Sequence, residues 1–304
     1  MGLRRPAAGF GGSASGDRRL IPFAGLLFAL AADVAVASGP ATSVITVRSK
    51  DGTPIAAECA GAGPSLVIVH GGTGDHTRWT PLFPHFASRF RVCAMDRRGF
   101  GRSGDSPDHS LAKEAEDVVA VATSLPGGPF VLGHSYGGVV ALEAAFLTDK
   151  IRRLVLYEAP LQERVDPGII ARMEGRSSEG DRDGALTIFL GEVVKVAPEA
   201  IKAMKGRPSW ARLAATIHQS PRQMRALNAY RLDAKRVESL RVPVLLLTGS
   251  ETTNPSVKMA ALADSLPNRA VVVLQGETHF AMDSSPRKFA DVVSDFLLDV
   301  KPKR

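Results

Sequence analysis

At 304 residues, 44% hydrophobic and 23% charged, the chain can bury a full core and lies in the range of one large domain with room for an insertion. Its formal charge of +7 comes without a Lys/Arg run longer than a pair away from the chain ends, so a mixed basic surface is expected and no nucleic-acid partner. Two cysteines, Cys59 and Cys93, exclude a disulfide framework and lack metal or redox spacing; both sit in apolar strand-like runs as small hydrophobes, with a single bridge left open for an exported protein.

Residues 1–37 resemble a signal peptide. Arg4, Arg5, Arg18 and Arg19 precede an apolar stretch from Leu20, and Ala35-Val-Ala37 closes it before Ser38. Pro22 and Asp33 argue against a stable membrane span. Export, to the periplasm or beyond, is the expectation; a cytoplasmic protein with an N-terminal extension is the alternative.

From Thr42 strand and helix signals alternate. Val44–Val47 and Ile55–Cys59 flank the turn Asp51-Gly52 as a hairpin, and Leu66–Val69 reads as a buried strand. Phe90–Met95 is the next strand, and Ser110 opens a helix with apolar positions at Leu111, Ala115, Val118, Val119 and Ala122. Phe130–Leu132 is a short apolar strand, Val139–Leu147 a helix apolar on nearly every face, and Leu154–Tyr157 a further strand.

Between Pro160 and Arg241 the alternation stops. Helix-like pieces are broken by Pro167, Gly180, Pro198, Pro208 and Pro221, and Arg172–Gly184 is polar and glycine-rich; residues 160–241 are expected to form a helical cap with a mobile part. Alternation resumes at Val242–Leu247, followed by a helix opened by Asn254-Pro255, a strand at Val271–Leu274, and a last helix opened by Ser285-Pro286. A hairpin followed by this alternation predicts an α/β fold, with a mostly parallel sheet covered on both faces and built from residues 42–159 and 242–300.

The chemistry centres on Gly133-His-Ser135-Tyr-Gly137, where a strand ends in a sharp turn and a helix begins. A hydroxyl at the tip of such a turn stands above the strand end, and Gly133 and Gly137 let strand and helix approach around it; Ser135 is therefore the candidate nucleophile. Serine needs a base to take its proton, and the base needs a third group to hold it. His279 is the candidate base, since Gly276-Glu-Thr-His279 follows the strand Val271–Leu274 and opens onto the same strand ends. Two carboxylates qualify as the acid. Glu251, after the strand Val244–Leu247, is the first choice, and Glu158, after Leu154–Tyr157, is the alternative acid. Two backbone amides complete the set as an oxyanion hole, from Tyr136 and from Gly72 in the turn His70-Gly-Gly-Thr-Gly74.

Four motifs in this order, His70-Gly-Gly-Thr-Gly, Asp96-Arg-Arg-Gly-Phe-Gly-Arg-Ser, Gly133-His-Ser-Tyr-Gly-Gly and Gly276-Glu-Thr-His, resemble the α/β-hydrolase superfamily over about residues 44–300. The resemblance implies an eight-stranded sheet, a helical cap after the sixth strand, a Ser135 nucleophile, a His279 base and a hole from Gly72 and Tyr136. Many relatives carry Asp three residues after the glycine that ends the seventh strand, where this chain has Thr252; some place their acid where Glu158 stands. The expected activity is a cofactor-free, metal-free hydrolysis of a small or medium carboxylic ester through an acyl-enzyme. Lactone, amide or carbon–carbon hydrolysis, peracid formation, and a low-turnover ligand receptor are the alternatives on the same fold.

Overall fold

The computed structural model describes residues 39–161, 163–252 and 262–299. The leader-like residues 1–37 and the helix expected at Asn254-Pro255 lie outside the described residues. Strands β1 (Thr42–Arg48) and β2 (Pro54–Ala60) form the expected antiparallel hairpin, and β2 pairs antiparallel with β4 (Arg91–Met95). From there β3 (Ser65–Val69), β5 (Phe130–His134), β6 (Arg153–Tyr157), β7 (Val244–Gly249) and β8 (Arg269–Leu274) run parallel, in the order β1-β2-β4-β3-β5-β6-β7-β8.

The central strands read as continuous apolar runs because both sheet faces are covered. Val67, Val131 and Leu156 pack against the helices Leu111–Ser124 and Tyr136–Ala145, while Leu66, Leu132 and Val155 pack into a second layer with Trp79, Phe86 and Phe289. Strand order reverses at β3, which has β4 on one side and β5 on the other. A crevice therefore opens where the loops after β3 and β5 leave the sheet in opposite directions.

Cys59 and Cys93 are register partners across β2 and β4, both buried, and they form a disulfide. The sequence placed them in the core; pairing them required the register.

Between β6 and β7 the chain makes helices Pro167–Ser178, Arg182–Ile188, Pro198–Lys205, Pro208–Thr216, Ser220–Ala229 and Ala234–Ser239. The prolines that punctuate this stretch open four of them, because a first-turn residue needs no intrahelical N–H. Arg172–Gly184, expected to be mobile, is mostly helical, with a turn at Gly180 (φ 81°). Within it Met173 is buried, and with Ala185 and Leu186 just beyond it joins a small core with Trp210 and Ile217.

Candidate active site

Ser135 occupies the turn between β5 and the helix Tyr136–Ala145 with φ 52° and ψ −129°, a conformation that costs a non-glycine residue free energy and persists only where the surroundings impose it. Close packing imposes it. A Cβ at Gly133 would lie 2.5 Å from the Gly137 carbonyl oxygen, and one at Gly137 would lie 2.2 Å from that of His70, so glycine at both positions draws strand, helix and the loop after β3 together. The Ser135 N–H donates to Tyr157 O at 2.8 Å, and Ser135 O accepts from the Gly138 N–H at 2.7 Å.

His279 sits in the loop after β8, and its Nδ1 lies 3.1 Å from Oε2 of Glu158. The other oxygen of that carboxylate, Oε1, accepts from Thr248 Oγ1 (2.7 Å), the Gly249 N–H (2.8 Å) and Thr252 Oγ1 (2.7 Å). Burial opposes ionisation of Glu158, but the hydrogen bond and charge of His279, the Gly249 amide and the Thr248 hydroxyl outweigh it and hold the carboxyl below its ordinary value. An ionised carboxylate only accepts, so the proton of a neutral His279 sits on Nδ1. Nε2 is then free to take another.

Glu251, the first choice from sequence, is not the carboxylate at His279. It is exposed, its Oε1 accepts from Ser250 Oγ at 3.0 Å, and its N–H donates to Glu277 O at 2.8 Å. The reason is local packing: a Cβ at Gly249 would fall 2.2 Å from Glu277 O, so the loops after β7 and β8 run backbone against backbone and the Glu251 side chain turns outward. Thr252, at the position where the resemblance expects Asp, does face the site, and it supplies a hydroxyl to Glu158.

His279 is also held from behind. His134 Nε2 donates to the His279 carbonyl at 3.1 Å, and its ring stacks on Tyr157 with centroids 5.3 Å apart. Burial, then the nearby His279, push His134 well below the usual imidazole range, so it stays neutral with its proton on Nε2. The Tyr157 hydroxyl accepts from the Ala281 N–H at 3.0 Å and donates to Thr278 O. His134 and Tyr157 were seen in the sequence only as an elbow residue and a strand end; neither position signals a contact more than 120 residues along the chain.

Gly72 and Tyr136 border one cavity of about 670 Å³ together with Ser135, Glu158 and His279. The Tyr136 amide is the first of the helix, where N–H groups have no intrahelical acceptor. The Gly72 amide is oriented by its neighbour. Gly71 O accepts from Arg97 Nη2 at 2.6 Å and from His70 Nδ1 at 2.9 Å, and in a trans peptide the following N–H points the opposite way. The His70 tautomer is set because its Nε2 accepts from the Arg97 N–H at 3.1 Å. Beyond the polar end, Ile169, Phe189, Met224 and Leu227 give the cavity an apolar wall, drawn from the helical insertion.

Asp75, His76 and Asp96 bring ligand-type atoms within 4.8 Å of one another. Both nitrogens of His76 are already engaged, Nδ1 with Asp96 at 2.8 Å and Nε2 with Glu58 at 3.1 Å, which makes the group an ion-paired anchor of the loop after β4. Among the described residues no helix is long and apolar enough to cross a membrane.

A hydroxyl on a strained turn, an imidazole backed by a buried carboxylate and two amides around one cavity can support acyl transfer. Residues 66–292 match the family model of the alpha/beta hydrolase family. The structure is similar to that of an alpha/beta hydrolase from Sphaerobacter thermophilus, with a TM-score of 0.76 and 33% identity over 83% of this chain and 100% of that one. It is also similar to an esterase from Rhodococcus sp., with a TM-score of 0.68 and 25% identity over 85% and 100% of the two chains. The pimeloyl-[acyl-carrier protein] methyl ester esterase of Aeromonas hydrophila is 27% identical over 260 residues, 80% of this chain and 99% of that one.

Proposed function

The chain belongs to the alpha/beta hydrolase family, and on that premise we propose that it is a serine hydrolase, independent of any cofactor, that cleaves a small or medium carboxylic ester through an acyl-enzyme. Ser135 is the nucleophile, His279 the base, Glu158 the acid, and the Gly72 and Tyr136 amides form the oxyanion hole. As Ser135 Oγ attacks the ester carbon, His279 Nε2 takes its proton and the carbonyl electron pair moves onto oxygen between the two amides. The bond to the alcohol then breaks, and the alcohol leaves with the proton from His279. Water, deprotonated in turn by His279, attacks the Ser135 ester; the bond to Oγ breaks, His279 returns its proton to Ser135 Oγ, and the carboxylic acid is released. Glu158 steadies the imidazolium without taking its proton.

The observation that carries this reading is the 3.1 Å contact between His279 and a carboxylate with three further hydrogen bonds, beside a strained serine in the same cavity. Short-chain aryl ester turnover and fluorophosphonate labelling, compared between wild type and Ser135→Ala, test it. Label on the wild type alone and a rate lower by about 10³ or more in the variant are expected. An undiminished rate in Ser135→Ala would overturn the reading.

Export is part of the proposal. A bridge such as Cys59–Cys93 persists in oxidising compartments, and residues 1–37 carry the residue order of a leader. Protein from its native source is expected to begin near Ser38 by mass spectrometry; an intact Met1 or Gly2 terminus would reverse this.

A further inference from the structure

The turn that carries Gly72 cannot hold its own shape. In His70-Gly-Gly-Thr-Gly74 three of five residues are glycine, which leaves the backbone with wide conformational freedom, whereas an oxyanion donor works only if its direction is set before the reaction. The restraint comes from outside the turn, and much of it comes from the helical insertion. Ser220 Oγ donates to Gly72 O at 2.9 Å, and Thr216 Oγ1 accepts from the Gly74 N–H at 2.8 Å. Gln223 Oε1 accepts at 3.1 Å from Arg97 Nη2, the same nitrogen that donates to Gly71 O. Arg97 is buried, with its Nη1 on Glu114 Oε2 at 2.6 Å and its guanidinium over the rings of Phe100 and Tyr136.

Ser220 and Gln223 are both completely buried. Gln223 Nε2 finds no partner among the described residues, a cost that an apolar side chain of the same size would not carry; what the glutamine contributes in return is an acceptor for Arg97. Successive peptides of the turn are thus pinned on both sides of the Gly72 N–H: the Gly71 carbonyl through Arg97 and Gln223, the Gly72 carbonyl through Ser220.

We propose that the insertion helix Ser220–Ala229 is a working part of the oxyanion hole, with Ser220 and Gln223 as positioning residues that aim the Gly72 amide through the Gly71 and Gly72 carbonyls. The inference rests on the proposed serine chemistry and adds to it that seating of the insertion and competence of the hole are coupled. An insertion that lifts from the sheet releases Gly72, so the intact Ser135, His279 and Glu158 group loses most of its advantage until the insertion is seated again.

The test uses the full chain carrying Ser220→Ala, Gln223→Leu, or both. Each is assayed for kcat and KM on a short-chain aryl ester, for the second-order rate of fluorophosphonate labelling, for affinity toward a trifluoromethyl ketone whose adduct bears an oxyanion, and for thermal unfolding. Each single change is expected to lower kcat about tenfold and the pair about 10²-fold, somewhat less than outright removal of a donor, with KM within about twofold. The labelling rate and ketone affinity should fall by the same factors. Gln223→Glu, which keeps an acceptor for Arg97, should stay within about threefold of wild type. Folded Ser220→Ala and Gln223→Leu proteins with wild-type kcat and labelling rate would overturn the inference and leave the Ser135 reading intact, as would a loss confined to KM. A wild type that takes no label would overturn the Ser135 reading and, with it, this one.

Discussion

The ends of β6 and β7 lie side by side and each carries a glutamate, yet the two have opposite fates. After β6, Glu158 takes a left-handed backbone (φ 52°) that turns its side chain inward, where it is 5% exposed and its two oxygens meet four partners. After β7, Glu251 is exposed, and the chain's inward-facing group at that end is the hydroxyl of Thr252. The difference teaches that a carboxylate's place beside an imidazole is defined by its hydrogen-bond partners and by the direction of one side chain. Adjacent strand ends offer equivalent platforms, and in this chain groups at the end of β7 hold the carboxylate that the end of β6 supplies.

The largest effect is expected from Glu158→Gln. The amide keeps the shape and the acceptor toward Thr248, Gly249 and Thr252, but presents an N–H to His279 Nδ1 and favours the wrong imidazole tautomer; kcat/KM should drop by about 10³–10⁴ for the aryl ester. Unfolding against pH sharpens the point. Because the folded-state pKa of Glu158 is depressed, its charge contributes stability that is present above the unfolded value of about 4.3 and is lost as pH falls through the folded value. The stability gap between wild type and Glu158→Gln should therefore be widest near neutrality and close in acid; a gap that widens in acid would contradict the ionised assignment.

Moving the acid is the next test. Glycine accepts the positive φ at position 158, so Glu158→Gly isolates the loss of the carboxylate, and adding Thr252→Asp should restore about tenfold of the lost turnover. No recovery, at unchanged fold, would mean that the β7 end cannot reach His279. Thr252→Val alone removes one of three hydrogen bonds to Oε1 and should cost about three- to tenfold in kcat, since bonds to a charged acceptor are worth about 1.5–3 kcal/mol before compensation by the remaining donors. Glu251→Gln should be smallest of all, within about twofold in turnover and unfolding temperature; a loss comparable with Glu158→Gln would reverse the comparison.

Ser135 and His279 were legible in the sequence because their signals are local. A nucleophile turn is a strand, two close-approach glycines and a helix in direct succession, and the Gly133 and Gly137 contacts show why those glycines are needed. The glycine turn at Gly72 was legible for the same reason, as was the alternation that predicts the sheet. Local composition did not reveal that Met173, inside the polar stretch Arg172–Gly184, and Ala185 just after it are buried.

By itself the sequence determined the α/β architecture and marked a helical insertion and Ser135, His279, Gly72 and Tyr136 as candidates, because apolar periodicity and turn chemistry act between residues a few places apart. Only the tertiary structure put Glu158 rather than Glu251 beside His279, paired Cys59 with Cys93, and joined Gln223 to Arg97 across 126 residues of chain and Ser220 to Gly72 across 148. Hydrogen bonds have a reach of about 3 Å and a preferred direction, and which distant groups fall within that reach is set by strand order, register and the packing of one loop on another.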